Sequence, residues 1–200
     1  MKLNMKSRTM QRVLLASCSI LMVAATTTGL TQTGLAQAGG QASAADKQFV
    51  KEALMGGMAE VQLGQLATQK GSSDDVKQFG QKMIEDHTKL GDQMKEVASQ
   101  IGVTAPTTVS PKDQATMTRL QGLSGDEFDK AYIRVMVRGH EKDLQAFKTE
   151  ASSGTSPVVK NAASQGSQVV SAHLDMIKQM AQTHNVTMRA KSEMTEKSSQ

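Results

Sequence analysis

The sequence predicts an all-α fold, a ferritin-like antiparallel four-helix bundle with a crossover connection between its second and third long helices. Three observations carry that expectation. Apolar residues return at steps of three and four through four long segments, the β-branched alternation of strands is absent, and the 3 prolines lie between those segments (106 and 111) or at the first helical position of one (157).

The first long helix is expected over 46–70, with Asp46 as its N-cap and Gly71 as its stop. The second covers 73–101, where Ser73 and Asp74 supply a cap and a first-turn acid and Gly102 ends the run. A connection with Pro106 and Pro111 follows, and Pro111 suits the first position of a short helix reaching Gln121. The third long helix spans 124–152 and opens on Ser124-Gly-Asp-Glu127, a capping-box pattern. The fourth spans 156–184, with Ser156 as cap and Pro157 in its first turn. Short links within the first and last pairs make each pair antiparallel, and the longer proline-containing link has the length to cross the bundle end.

Residues 1–38 read as an export signal. Lys2, Lys6, Arg8 and Arg12 precede an apolar run over 13–25, no acid appears before Asp46, and Ala36-Gln-Ala38 offers a small-x-small cleavage site. Leu15-Ala-Ser-Cys18 also spells a lipobox, so a lipid anchor at Cys18 is the alternative route. Residues 39–45 form a flexible leader, 46–186 the bundle, and 187–200 a polar tail expected to be disordered. The predicted location is periplasmic or secreted. No transmembrane span is expected in the mature chain, because the apolar run is too short.

Charge narrows the partners. The whole chain carries +4, from 23 basic and 19 acidic residues. Four of the basic residues belong to the signal, so the mature chain is neutral. With 1 Tyr, 4 Phe and no Trp there is no basic-aromatic surface, and no nucleic acid is expected as a partner. Cys18 is the single cysteine. Beyond the signal there is neither a disulfide nor a thiol nucleophile, and no phosphate loop, H-E-x-x-H or nucleophile elbow occurs.

The core-facing stripes hold the chemistry. They read Phe49, Ala53, Gly56, Glu60, Leu63, Ala67 in the first helix and Val76, Phe79 or Gly80, Met83, His87, Leu90, Met94, Val97, Ile101 in the second. The third gives Ile133, Val137, His140, Leu144, Phe147, Ala151, and the fourth Val159, Ala162, Gly166, Val169, His173, Met176, Met180. Each stripe thus holds one ionisable residue, within about three residues of its helix midpoint. At about 1.5 Å per residue, all four lie within roughly 5 Å of one level.

Glu60, His87, His140 and His173 are therefore the candidate ligands of one divalent transition metal, Zn²⁺, Cu²⁺ or Fe²⁺, since imidazole is a borderline-soft donor and Glu adds negative charge. Asp86 and Glu141, each next to a histidine, are candidates to orient those rings or to replace a ligand, and Met83 lies one turn from His87. If the site exists, the imidazole nitrogens of His87 and His140 lie within about 7 Å of each other. The competing expectation is a structural network of buried polar groups that fixes helix pairing. The 14 methionines read as core filler in a chain poor in aromatics. His184 is expected in solvent, and Gly56-Gly57 to mark close approach of a neighbouring helix.

Met83-Ile-Glu-Asp86-His87-Thr88, Leu123-Ser-Gly-Asp-Glu-Phe128-Asp129-x-x-Tyr132, His140-Glu141 and His173 together resemble the bacterial "domain of unknown function 4142" family. The resemblance runs from about Asp46 to Val186. It implies a ferritin-like fold and an exported or outer-membrane label, without an activity. The alternating strands of an outer-membrane barrel are absent. Ferritin-like di-iron proteins carry Glu-x-x-His on two helices, whereas Ile84 and Val170 stand three residues before His87 and His173. This departure points to a mononuclear site or none. The expected function is metal handling or stress protection by an exported bundle that is not an enzyme. A metal-dependent oxidoreductase, or a metal-free interaction module able to form a homodimer, are the alternatives.

Overall fold

The computed structural model describes residues 41–188. The signal segment, its cleavage sites, Cys18 and residues 189–200 of the tail lie outside the described residues. Among the described residues there are five helices and no strand: α1 (Ala44–Lys70), α2 (Asp74–Ile101), α3 (Pro111–Gln121), α4 (Gly125–Ser153) and α5 (Pro157–Thr183). No helix among them is long and apolar enough to cross a membrane.

The cap of α1 is Ser43 rather than Asp46. The Ser43 hydroxyl accepts from the Asp46 amide at 3.1 Å, and the Asp46 carboxylate accepts from the Ser43 amide at 2.7 Å. Asp46 thus serves in the first turn, and the same carboxylate also reaches the turn between α4 and α5. There it accepts from the amides of Thr155 at 2.9 Å and Ser156 at 3.2 Å, and from the Thr155 hydroxyl. Burial opposes its charge, yet these donors hold its carboxyl well below the usual carboxylate range. At the opposite end, Asp129 of α4 accepts from the amides of Ser72 and Ser73, both at 2.9 Å, and from the Ser73 hydroxyl at 2.8 Å.

These two carboxylates fix the topology. The start of α1 meets the end of α4, and the α1–α2 turn meets the start of α4, so α4 runs antiparallel to α1 and parallel to α2. The connection leaving Ile101 must therefore travel the length of the bundle. It does so through α3, which packs on α1 and α4, and Lys70 donates to the Gln121 carbonyl at 2.8 Å where α3 ends. This is the crossover expected from the link length. One expectation fails at the start of α4. Ser124 makes no side-chain cap bond, because the chain enters through a left-handed Gly125 (φ 58°), not the helical first step that a capping box needs.

α1 packs tightly on α2, and α4 on α5. The tight crossing in the first pair is at Gly64 and Gly80. A Cβ on Gly64 would lie 2.7 Å from the Gly80 carbonyl oxygen, and a Cβ on Gly80 would lie 2.8 Å from the Gly64 oxygen. Gly56 and Gly57, expected to mark that approach, face open space with nothing within 4 Å of a built Cβ.

The α2 stripe is buried as read from Val76 to Val97, with Ala98 rather than Ile101 completing it. In α5 Val159, Gly166, His173 and Met180 are buried as expected, but Ala163, Val170 and Ile177 are buried in place of Ala162, Val169 and Met176, which are half-buried. Two adjacent apolar stripes run along this helix, and local spacing alone cannot choose between them. The start of α1 shifts likewise, burying Val50 and Leu54 in place of Phe49 and Ala53. The apolar interior divides into two clusters, one around Phe79, Met83, Tyr132 and Ile177, the other around Val50, Met94, Phe147 and Val159. Between them lies a polar layer.

Candidate metal centre

Each long helix contributes one residue to that layer: Glu60 from α1, His87 from α2, His140 from α4 and His173 from α5, all buried. One ring nitrogen of each histidine lies within 4.8 Å of the others, well inside the 7 Å expected for His87 and His140. The ring centroids are 5.1 to 5.8 Å apart. Phe79 stands beside the group, 6.4 and 6.1 Å from the His140 and His173 rings. Helical spacing puts one side chain per helix at a shared depth, and the apolar residues one turn above and below hold it there.

The hydrogen bonds assign tautomers. Nδ1 of His140 lies 2.9 Å from the Met136 carbonyl oxygen, an acceptor only, so Nδ1 donates and Nε2 keeps its lone pair. That Nε2 is buried with no partner. Nε2 of His173 lies 2.8 Å from Asp86 Oδ2, so it donates and leaves the Nδ1 lone pair facing His87 Nε2 at 3.2 Å. Asp86 is in turn held by Lys82 at 2.8 Å. The geometry puts it behind the His173 ring, where a carboxylate orients a ligand. Nδ1 of His87 lies 2.9 Å from Glu60 Oε2, but off the line a hydrogen bond requires, and counts among the unpartnered buried atoms.

Charge divides unevenly over the layer. Burial alone would raise the Glu60 carboxyl, but the positive charge of His87 holds it well below the usual carboxylate range. Burial works against a proton on His87, yet the charge of Glu60 raises its pKa. The two form an ion pair. Burial lowers the pKa of His140, and burial with the neighbouring imidazoles brings His173 down to about 4. The layer thus pairs the Glu60 carboxylate with His87, the imidazole it helps to protonate, beside His140 and His173, on which burial disfavours a proton.

Glu60 does not join the tight trio. It faces the Nδ1 side of His87 and lies 3.7 Å from His140 Nδ1. Met83 is fully buried in the apolar cluster. Glu141 does not orient His140: its half-exposed carboxylate pairs with Lys178 at 3.0 Å, because the position after a core residue turns about 100° toward solvent. His184 is not free in solvent, since its Nε2 meets Asp75 Oδ2 at 2.9 Å.

Two residues of the neighbourhood escape the stripe reading, although helical spacing could have found both. Tyr132, eight before His140, is fully buried with an unpartnered hydroxyl, and burial followed by the charge of Glu60 pushes its pKa up. Asp143, three after His140, is pushed up to about 7 by burial and by Glu60. Glu60, His87 and Asp143 all line a cavity of about 610 Å³ between α1, α3 and α4.

The model of the family "Domain of unknown function (DUF4142)" matches residues 31–180. No curated protein matches the chain. Among solved structures, a DUF305 fragment from Deinococcus radiodurans is 17% identical (TM-score 0.61), with 72% of this chain and 97% of that one covered. CopM in its Cu(I)-bound form is 18% identical (TM-score 0.59), covering 69% and 96%. A DUF305 protein from Streptomyces coelicolor, named as a candidate secreted protein, is 12% identical (TM-score 0.63), covering 73% and 96%. At such identities the likeness is one of fold.

Proposed function

The chain belongs to the DUF4142 family, and we propose that this member is an exported metal-handling protein that binds one transition-metal ion between His87, His140 and His173. The observation that carries the reading is the lone pair on His140 Nε2, buried and unpartnered, on a ring that brings one nitrogen within 4.8 Å of a nitrogen on each of two further imidazoles. A buried acceptor without a donor costs about 1–3 kcal/mol, which an ion would recover. Two nitrogens on one tetrahedral ion, each about 2.0–2.1 Å from it, lie about 3.3 Å apart, close to the 3.2 Å between His87 Nε2 and His173 Nδ1. Glu60 and Asp86 then act from behind the rings, balancing charge and holding ring orientation.

Imidazoles without a thiolate suit Zn²⁺ and copper. A solved structure of similar fold is Cu(I)-bound, which favours copper within that pair. The basic, apolar N-terminal segment and the candidate secreted relative support a periplasmic or secreted location.

Metal analysis of protein purified without a histidine tag tests the reading. One equivalent of Zn²⁺ or copper per chain is expected after loading and dialysis, lost in His140→Ala and His173→Ala variants that keep their helical circular dichroism. Retention of the full equivalent in both variants overturns it. A metal-dependent oxidoreductase would add turnover of peroxide or oxygen to that binding. A second reading, a purely structural polar layer, draws on the continuous chain Glu60–His87–His173–Asp86. It predicts folded protein whose melting temperature ignores Zn²⁺ and copper.

A further inference from the structure

His87, His140 and His173 are buried, so an ion bound between them needs a way in. At His173 the layer is capped by Asp86, whose Oδ2 is held at 2.8 Å by both the ring Nε2 and Lys82 Nζ. The cavity of about 610 Å³ approaches the layer at His87 instead. Its lining runs from exposed Glu52, Lys112 and Lys142 down to buried Glu60 and His87, whereas His140 and His173 do not line it.

The charges of the lining differ in depth. Its four basic side chains are all exposed, while Glu60 is buried and Asp143 half-buried. Burial and the charge of Glu60 push the Asp143 carboxyl up, so two carboxylates oppose each other at the inner end and an arriving cation relieves that opposition. Glu60 Oε2 in turn stands 2.9 Å from His87 Nδ1, which joins the cavity to the histidine layer.

Absent side chains keep the space open. Gly56 and Gly57 on α1 and Gly139 on α4 line the cavity, and a Cβ built on any of them meets nothing within 4 Å. A mid-helix glycine lowers helix stability by about 1 kcal/mol relative to alanine, and no close crossing at these positions requires one.

We propose that the α1–α4 cavity is the passage through which the transition-metal ion enters and leaves the histidine centre. The passage rests on metal binding by the three histidines, and it adds the path the ion takes.

Stopped-flow uptake of Zn²⁺ by metal-free protein, read with a chromophoric indicator, and release of Zn²⁺ into excess EDTA are the experiment. Gly57→Leu and Gly139→Leu extend side chains into the free space and should keep or raise the melting temperature. With the passage filled, the ion must wait for the bundle to open locally, so uptake and release should both slow at least about tenfold. A passage sets the barrier in both directions and not the two end states, so one Zn²⁺ per chain is still bound and Kd stays within about twofold. Ser164→Leu, exposed on α5 and outside the cavity, should keep the original rates. Asp143→Asn should slow uptake about threefold or more at low salt and less at high salt. Full Zn²⁺ uptake at unchanged rates in both folded leucine variants overturns the passage and leaves the centre standing. Absence of Zn²⁺ uptake by the unsubstituted protein removes the centre itself, and the passage with it.

Discussion

Two glycine-to-alanine substitutions seven residues apart in α1 should have opposite effects on stability. Both remove a residue that lowers helix stability by about 0.8–1.0 kcal/mol relative to alanine. At Gly57 nothing lies within 4 Å of the new methyl, so the gain is kept and Gly57→Ala should stabilise by about 0.5–1 kcal/mol. At Gly64 the new methyl would lie 2.7 Å from the Gly80 carbonyl oxygen and 3.0 Å from Ile84 Cγ1. The nearer atom is backbone in a packed helix, so relief requires α1 and α2 to separate. Overpacking of this kind costs about 1–3 kcal/mol, and the upper part of that range applies where the obstacle cannot rotate away. Gly64→Ala should therefore destabilise by about 1–2 kcal/mol after its helical gain is subtracted. The expected spread of about 1.5–3 kcal/mol is a difference in melting temperature of about 3–12 °C for a domain of this size. Thermal unfolding followed by circular dichroism measures both. If the two variants shift in the same direction, the close crossing at Gly64 and Gly80 is not where the fold places it.

Three further outcomes follow from the buried carboxylates and the histidine layer. Glu60→Ala strips His87 of its counter-charge and should lower stability by about 3 kcal/mol at pH 6. The loss should be smaller at pH 8: a raised imidazole pKa stabilises at pH below its ordinary 6.5 and ceases to as pH rises through the folded value, so the pair contributes less there; equal urea midpoint shifts at the two pH values would remove the ion pair from the account. Burial and the adjacent Asp46 push the Glu150 carboxyl up to about 7 from its ordinary 4.5, so the folded chain holds a proton that the unfolded chain releases. Stability should then fall as pH rises from about 4.5 to 7, and Glu150→Gln should flatten that slope in urea titrations. Metal binding should displace the His87 proton, giving about a tenfold rise in apparent affinity per pH unit below its folded pKa; competition with a chromophoric chelator reads that slope, and a flat profile contradicts the charge assignment.

Much of the fold was legible in the sequence because its signals are local. Gly71, Gly102 and Pro157 bracket helices where expected, and the length of the Pro106–Pro111 link announced a crossover. The start of α1 was misplaced because Ser43 and Asp46 are both good capping residues, and the choice depends on Thr155, over 100 positions away. Three positions of the α5 stripe slipped by one residue because Val169-Val170 and Met176-Ile177 offer two apolar faces, and only packing against the other helices selects one.

In the site, the depth argument brought the three histidines together without any knowledge of helix order, since mid-helix residues meet at one level whichever helices are neighbours. Which carboxylate backs which ring was not legible. Asp86 precedes His87 and Glu141 follows His140, and adjacency alone does not say that Asp86 turns toward a ring, that of His173 on another helix, while Glu141 pairs with Lys178. The cavity was hidden for a related reason. Gly56-Gly57 announces room for something, and sequence spacing does not distinguish a neighbouring backbone from an open hollow.

X-ray absorption at the edge of the bound ion, on Zn²⁺- or copper-loaded protein, tests the histidine centre most directly. The account predicts a shell of three imidazole nitrogens at about 2.0–2.1 Å with ring scattering beyond it and no sulfur near 2.3 Å. A sulfur shell from the methionines, or oxygen neighbours alone, would contradict it.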